Sequence, residues 1–220
     1  AFSKPEFRID VPGGVVRPEA DQLPGACRDW YGVQDFLAIA DGDAAVIWTP
    51  VDSPLVTLQD INRARWFKNL DIENGHVFAY VMNNYWFTNY RASQGGELTF
   101  RFSMTSGRRI SDTEAQAFGQ SVRSPMVASI IRASGEGEVS HGYVTIEAYG
   151  VALQALKPSR FADGIVLRLR EMEGDDRQVK VRISGIDFKT AHLSNLGEDK
   201  LSTLEVTNGA IEIPIRALGL

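Results

Sequence analysis

Residues 81–96 read Val81-Met82-Asn83-Asn84-Tyr85-Trp86-Phe87-Thr88-Asn89-Tyr90-Arg91-Ala92-Ser93-Gln94-Gly95-Gly96, and the chain continues Leu98-Thr99-Phe100-Arg101-Phe102-Ser103. The first stretch has neither the period of two of a half-buried strand nor the 3.6 of a helix, because Asn83, Asn84 and Asn89 interrupt the aromatics. Each of those amides needs hydrogen-bond partners if it is buried. Two readings follow. In one, the amides satisfy backbone groups at a strand-to-loop turn while Trp86 and Tyr90 pack. In the other, Tyr85 or Trp86 stacks on a sugar face and the neighbouring polar groups bond its hydroxyls. The candidate substrate-binding set is Asn83, Asn84, Tyr85, Trp86, Asn89, Tyr90 and Arg91. The second stretch alternates apolar with polar residues, the pattern of a strand wet on one face.

Strands dominate on either side. Runs rich in β-formers at 33–40, 44–49, 77–81 and 98–104 are separated by turn signals such as Asp41-Gly42-Asp43 and Asn74-Gly75. Asp41-Gly42 between two such runs predicts a hairpin. Further strands are expected at 126–132, 144–148, 151–156, 165–171, 178–183, 201–206 and 210–216. One helix is expected near 111–124. Ser111-Asp-Thr-Glu114 has capping-box spacing, Ala115, Phe118, Gly119 and Val122 recur at helical intervals, and Pro125 ends the run. Gly13-Gly14 and Pro24-Gly25 punctuate the opening, so 1–28 reads as an extended lead-in segment and 29–220 as a single domain. Many short strands with one helix imply an all-β, antiparallel two-sheet sandwich.

Composition excludes several classes. Hydrophobic residues at 44% and charged residues at 23% are ordinary for a globular chain. A net charge of −5 offers no basic face for phosphates, so neither nucleic acid nor an anionic membrane is an expected partner. No stretch approaches the roughly 20 apolar residues of a spanning helix. The N-terminus lacks a secretory layout, and one cysteine, Cys27, allows no internal disulfide, which favours a cytoplasmic setting.

The motifs taken together resemble the C-terminal β-domain of glycoside hydrolase family 38, the α-mannosidases. The resemblance rests on Asn83 to Tyr90 with Gln94-Gly95-Gly96 and the strand after it. It extends in order to Asp29-Trp30-Tyr31-Gly32-Val33-Gln34, Ser53-Pro54-Leu55-Val56, the helix before Pro125, Leu156-Lys157-Pro158, 165–171 and the closing strand 210–218. It implies a galactose-mutarotase-like supersandwich, and a chain that is the rear part of a larger glycosidase. Its catalytic carboxylates and zinc would then lie in an N-terminal catalytic domain that nothing here matches, leaving no cofactor and no catalytic residue in this chain. The implied role is support of that catalytic domain, closure of one side of a sugar cleft, and homo-oligomer formation. The alternative is a free-standing carbohydrate-binding module using Tyr85, Trp86, Tyr90 and Trp66.

Other chemistry finds little support in the spacing. His76, His141 and His192 are scattered, without the i, i+4 spacing that would bring two onto one metal. Cys27 has Arg28 beside it but no recognisable base. Gly135-Glu-Gly-Glu138 lacks the lysine and the third glycine of phosphate-binding loops. Glycoside hydrolysis needs two carboxylates about 5 to 10 Å apart. Asp29 and Glu97 are the acids best placed beside aromatics. A mutarotase would need a histidine paired with a carboxylate, which leaves His76 and His141 to examine. Arg108-Arg109 and the acids of 171–176 read as solvated loop charges.

Overall fold

The computed structural model describes residues 2–62, 64–82, 89, 91–130 and 141–220. Contacts gather into two compact units, Ala1–Met126 and Val127–Leu220, where the sequence reading has a lead-in at 1–28 and one domain over 29–220. Every strand pairing is antiparallel, and one helix occurs among the described residues, so the fold is all-β. No described helix is long and apolar enough to cross a membrane.

The first unit begins where a lead-in is expected. Strand β1 (Glu6–Val11) places Phe7 and Ile9 inward and pairs on one side with β2 (Gly14–Val16), on the other with β4 (Leu37–Asp41). The apolar alternation Phe7, Ile9, Val11 was the signal for it. β4 turns through Gly42, which has φ +59°, into β5 (Ala44–Pro50), as Asp41-Gly42 predicts. β8 (Phe102–Arg108) closes this sheet in the order β2-β1-β4-β5-β8. A second sheet has the order β3 (Tyr31–Gly32), β6 (Leu55–Leu58), β7 (Val77–Ala79). Phe7, Ile9, Leu37 and Ile39 of the first sheet meet Tyr31, Val56 and Leu58 of the second in one core. Burying each such aliphatic side chain contributes about 1.5–3 kcal/mol.

The helix α1 (Asp112–Arg123) forms for the local reason its sequence states. The Ser111 hydroxyl accepts from Glu114 N at 3.1 Å, and the Glu114 carboxylate accepts from Ser111 N at 2.9 Å. It buries Ala115, Gln116 and Gly119. Arg8 holds its start, pairing with Asp112 at 2.7 Å and donating to the Ile110 carbonyl at 2.7 Å. Gln116 donates to the buried Asp35 at 2.6 Å, and Arg123 pairs with the same carboxylate at 3.3 Å. Gly119 lets the helix approach, since a Cβ there would lie 2.5 Å from the Asp35 carbonyl oxygen.

Three strand expectations need correcting. The run expected at 33–40 forms β4 only from Leu37, because Val33 N and Gln34 N donate to the Pro54 and Asp10 carbonyls instead. The run expected at 98–104 starts four residues later, because β5 ends at Pro50, which pairs with Phe102. The strand expected at 126–132 is not formed over 126–130. Met126, Val127 and Ile130 are almost wholly exposed and find no neighbouring strand, so their apolar character alone does not order them into a sheet. Residues 131 and 132 lie outside the described residues.

In the second unit β9 (Val144–Glu147), β12 (Arg177–Ile183), β16 (Ala210–Ile215) and β15 (Val206–Thr207) form one sheet, and β10 (Val151–Pro158) pairs with β11 (Ile165–Glu171). Val179 and Val181 pack with Ile211, Ile215, Val151 and Leu169. A hairpin of β13 (Ala191–Ser194) and β14 (Lys200–Leu204) completes the unit's described strands. Glu171 ends β11 with a fully buried carboxylate. It accepts from Glu173 N, Gly174 N, Leu218 N and Arg177 Nε at 2.7–3.1 Å. Burial by itself pushes its pKa up, but the hydrogen bonds from Leu218 N, Arg177, Gly174 N and Glu173 N outweigh that and bring it down to about 2.

Two stability effects are expected. Gly119→Ala gains up to about 1 kcal/mol in helix propensity but must displace backbone at Asp35. The net result is a loss of about 1–3 kcal/mol, read as a lower urea midpoint. The lowered Glu171 pKa makes its contribution fully present above the unfolded value near 4.5 and lost as pH falls from there through about 2. Acid titration of the fold should therefore show a destabilising slope across that window, and Glu171→Gln should flatten it while lowering stability at pH 7 by about 2–3 kcal/mol.

Candidate functional site

Two of the motifs that carry the family resemblance meet in one sheet with the strand that leads towards a third. Tyr31 of β3 pairs with Val56 of β6, and Val56 pairs in turn with Ala79 of β7. Val33 N donates to the Pro54 carbonyl at 2.9 Å. Residues 29–34, 53–56 and the approach to 81–96 are thus three neighbouring strands brought together across the chain.

The same lead-in to β6 anchors the chain on both sides of segment 81–100. On the outgoing side, Tyr80 N donates to the Leu55 carbonyl at 2.8 Å and the Ser53 hydroxyl donates to the Tyr80 carbonyl. On the returning side, Val51 N donates to the Arg101 carbonyl at 3.0 Å. The Asp52 carboxylate receives Arg101 N at 2.8 Å and the Arg101 guanidinium in a fork at 2.8 and 2.9 Å. Arg101, through its side chain and then its backbone N–H, holds the Asp52 pKa down to about 2. Residues 51–55 therefore hold the chain at Tyr80 and at Arg101, the positions that flank segment 81–100.

Of the candidate substrate-binding residues, Asn83, Asn84, Tyr85, Trp86 and Tyr90 lie outside the described residues. Asn89 and Arg91 are exposed. Val81 and Met82 are each 40% exposed, so the described start of the excursion is not core. Glu97 is exposed as well.

A cleft of about 700 Å³ in the same unit brings together residues that the sequence separates by some forty positions. Its walls include Glu19, Cys27, Arg28 and Asp29 from one side, and Trp66, Lys68 and Asn69 from the other. The Arg28 side chain is buried. Its Nε donates to Glu19 and its Nη1 to the Ala26 carbonyl at 2.8 Å. Asp29 is 2% exposed. Its Oδ2 receives Ala64 N at 2.6 Å, and its Oδ1, also buried, has no hydrogen-bond partner among the described residues. Trp66 stands out at 77% exposure, while Cys27 is exposed and free. Behind the wall, the buried Tyr31 hydroxyl donates to Gln22 at 3.1 Å, and burial pushes its pKa up to about 12. Sequence reasoning noted Asp29, Arg28 and Trp66 separately. No local signal joins them, because the link is a carboxylate accepting from a backbone N–H 35 residues away.

The histidines do not converge. His76 lies edge-on to Phe78 and His141 edge-on to Tyr143, and neither pairs with a carboxylate among the described residues. Among the described residues no three of His, Cys, Asp and Glu are grouped so as to hold a metal ion. Replacing Arg101 with Ala should loosen the clamp without unfolding the unit, because the pair is at the surface. The expected readout is faster amide exchange at Val51 and Tyr80, with the core amides of β4 unchanged.

Comparison with known proteins bears out the resemblance. Residues 150–218 match the family model described as glycosyl hydrolases family 38 C-terminal beta sandwich domain. No curated protein matches the chain. A solved protein of glycosyl hydrolase family 38 from Enterococcus faecalis is similar over 95% of this chain at 15% identity, with a TM-score of 0.64. An α-mannosidase from Enterococcus faecalis V583 is similar over 99% at 13% identity, with a TM-score of 0.60. At these identities the two structures establish the fold. The chain spans 24% of the length of each.

Proposed function

From the family 38 match over residues 150–218, we propose that this chain is a non-catalytic C-terminal β-domain of an α-mannosidase-like glycoside hydrolase. In this reading it supports a catalytic domain elsewhere in the protein and lends segment 81–96 to one wall of the sugar cleft. The observation that carries the reading is the coverage: 95% and 99% of the chain superpose on 24% of a family 38 protein and 24% of an α-mannosidase. The clamp supports the second part of the role. Asp52, Ser53 and Leu55 hold the chain at Tyr80 and Arg101, on either side of that segment, which lowers the ordering cost of its meeting a partner surface. Zinc and the reacting carboxylates belong, on this proposal, to residues outside these 220.

The chain alone, assayed on an aryl α-mannoside with and without zinc, is expected to show no turnover, and clear turnover would sink the proposal. In the longer protein, Trp86→Ala is expected to lower kcat/KM by about tenfold while leaving the fold intact, the size of a lost aromatic contact to the sugar. An unchanged kcat/KM would confine the segment to a structural role.

A further inference from the structure

The sequence contains Asn-Gly twice, at Asn74-Gly75 and at Asn208-Gly209. An asparagine followed by glycine is able to cyclise, because no side chain shields the glycine nitrogen from the carbon of the Asn amide. The fold treats the two sites differently.

Asn74 lies half-buried in the connection between β6 and β7, outside any strand. Its Oδ1 accepts from His76 N at 3.0 Å. This is an Asx turn, which folds the side-chain amide back over the peptide bond that follows it. Asn74 Cγ is thereby turned towards the Gly75 nitrogen, and the bond from His76 N draws electron density out of the carbonyl that would be attacked. Neither Gly75 N nor Asn74 Nδ2 makes a hydrogen bond among the described residues, so nucleophile and leaving group are both unheld. In Asn62 and Asn195, by contrast, Nδ2 is bound, to the Leu58 carbonyl at 2.9 Å and the Asp199 carboxylate at 3.0 Å. Gly75 is also required where it stands, since a Cβ there would lie 2.8 Å from Phe2, which packs against the first unit's core.

Asn208 and Gly209 form the two-residue turn between β15 and β16, with φ of +51° and +69°. Positive φ at both positions is what a tight hairpin turn of this length demands. Ring closure needs the Asn–Gly peptide to rotate against the Asn side chain, and the flanking pairs Thr207–Ala210 and Val206–Ile211 hold that peptide in place. The bend at Asn74 carries no such pairs.

We propose that Asn74 is a site of intramolecular deamidation, and that the fold directs the reaction there rather than to Asn208. The Gly75 nitrogen gives up its proton and bonds to Asn74 Cγ, and the Cγ–Nδ2 bond breaks. The amide nitrogen leaves as ammonia, taking up one proton in place of the one lost. Water then opens the cyclic imide at either carbonyl and leaves aspartate or isoaspartate at position 74. Water is the one co-reactant, and nothing is oxidised or reduced. Either product adds a negative charge. Isoaspartate also lengthens the backbone just ahead of His76, whose carbonyl accepts from Gln59 N at 2.8 Å and so helps set β7 against β6.

The test is to warm the full chain at mildly acidic and mildly alkaline pH, folded and in urea. Peptides carrying residues 74 and 208 are followed by mass spectrometry, with isoaspartate resolved from aspartate by chromatography. In the folded chain, conversion at Asn74 should run at least about tenfold ahead of Asn208, a modest share of what orientation supplies to intramolecular reactions. It should also be faster at alkaline pH, because the attacking nitrogen must lose its proton. In urea the lead should largely disappear, since both sites are then unstructured Asn-Gly. Asn208 matching or leading Asn74 in the folded chain overturns the proposal, as does the absence of product at Asn74. A lead that persists undiminished in urea overturns it too, because the preference would then belong to the local sequence and not to the fold.

Discussion

The first unit depends on one short buried strand and its lead-in. Val56 and Leu58 of β6 are fully buried in the core between two sheets, and β6 pairs with β3 on one side and β7 on the other. The four residues before it, Val51 to Pro54, bond outward to Arg101, Tyr80 and Val33. A buried strand cannot leave its backbone groups unpaired. The position of β6 therefore dictates where β3 and β7 lie, and with them the departure and return of segment 81–100. What this unit can present to a ligand or partner follows from where that strand is held.

The second unit solves a comparable problem with charge. Glu171 lies where β11 ends and the chain must turn into β12, and its buried carboxylate collects three backbone donors and one guanidinium. One of those donors belongs to Leu218, so the same group ties down the last turn of the chain. Glu198 acts similarly at the other end of the β10–β11 pair, taking Lys157, the Ser159 hydroxyl and Arg160 N. Lys157 leads the causes that hold the Glu198 pKa down to about 2. The acids of this region read from sequence as solvated charges, yet Glu171 is almost fully buried. Composition counts a carboxylate the same way wherever it lies, and only the convergence of donors separates a structural one from a surface one.

What was legible follows the range of the interactions. The helix is written in Ser111, Glu114 and Pro125 because a capping box is closed within one turn. The β4–β5 hairpin is written in Asp41-Gly42 for the same reason. The start of β8 is not written in its own residues, since it is set by the length of β5 across the sheet. The apolar residues 126–130 look like a strand and form none, because a strand exists only where a neighbour pairs with it. β1 lies where Gly13-Gly14 and Pro24-Gly25 imply only an extended lead-in, yet its alternation Phe7, Ile9, Val11 is that of a paired strand.

The sequence by itself determined the all-β class, the helix and the resemblance to the family 38 C-terminal β-domain, since periodicity, caps and ordered motifs are properties of neighbouring residues. Only the tertiary structure decided that Asp52 and Ser53 hold the chain at Arg101 and Tyr80, and that Asp29 and Trp66 line one cleft. The reason is the same in both cases. The bonds that create these arrangements join residues 27 to 49 positions apart, and such pairings follow from how sheets stack rather than from any local pattern.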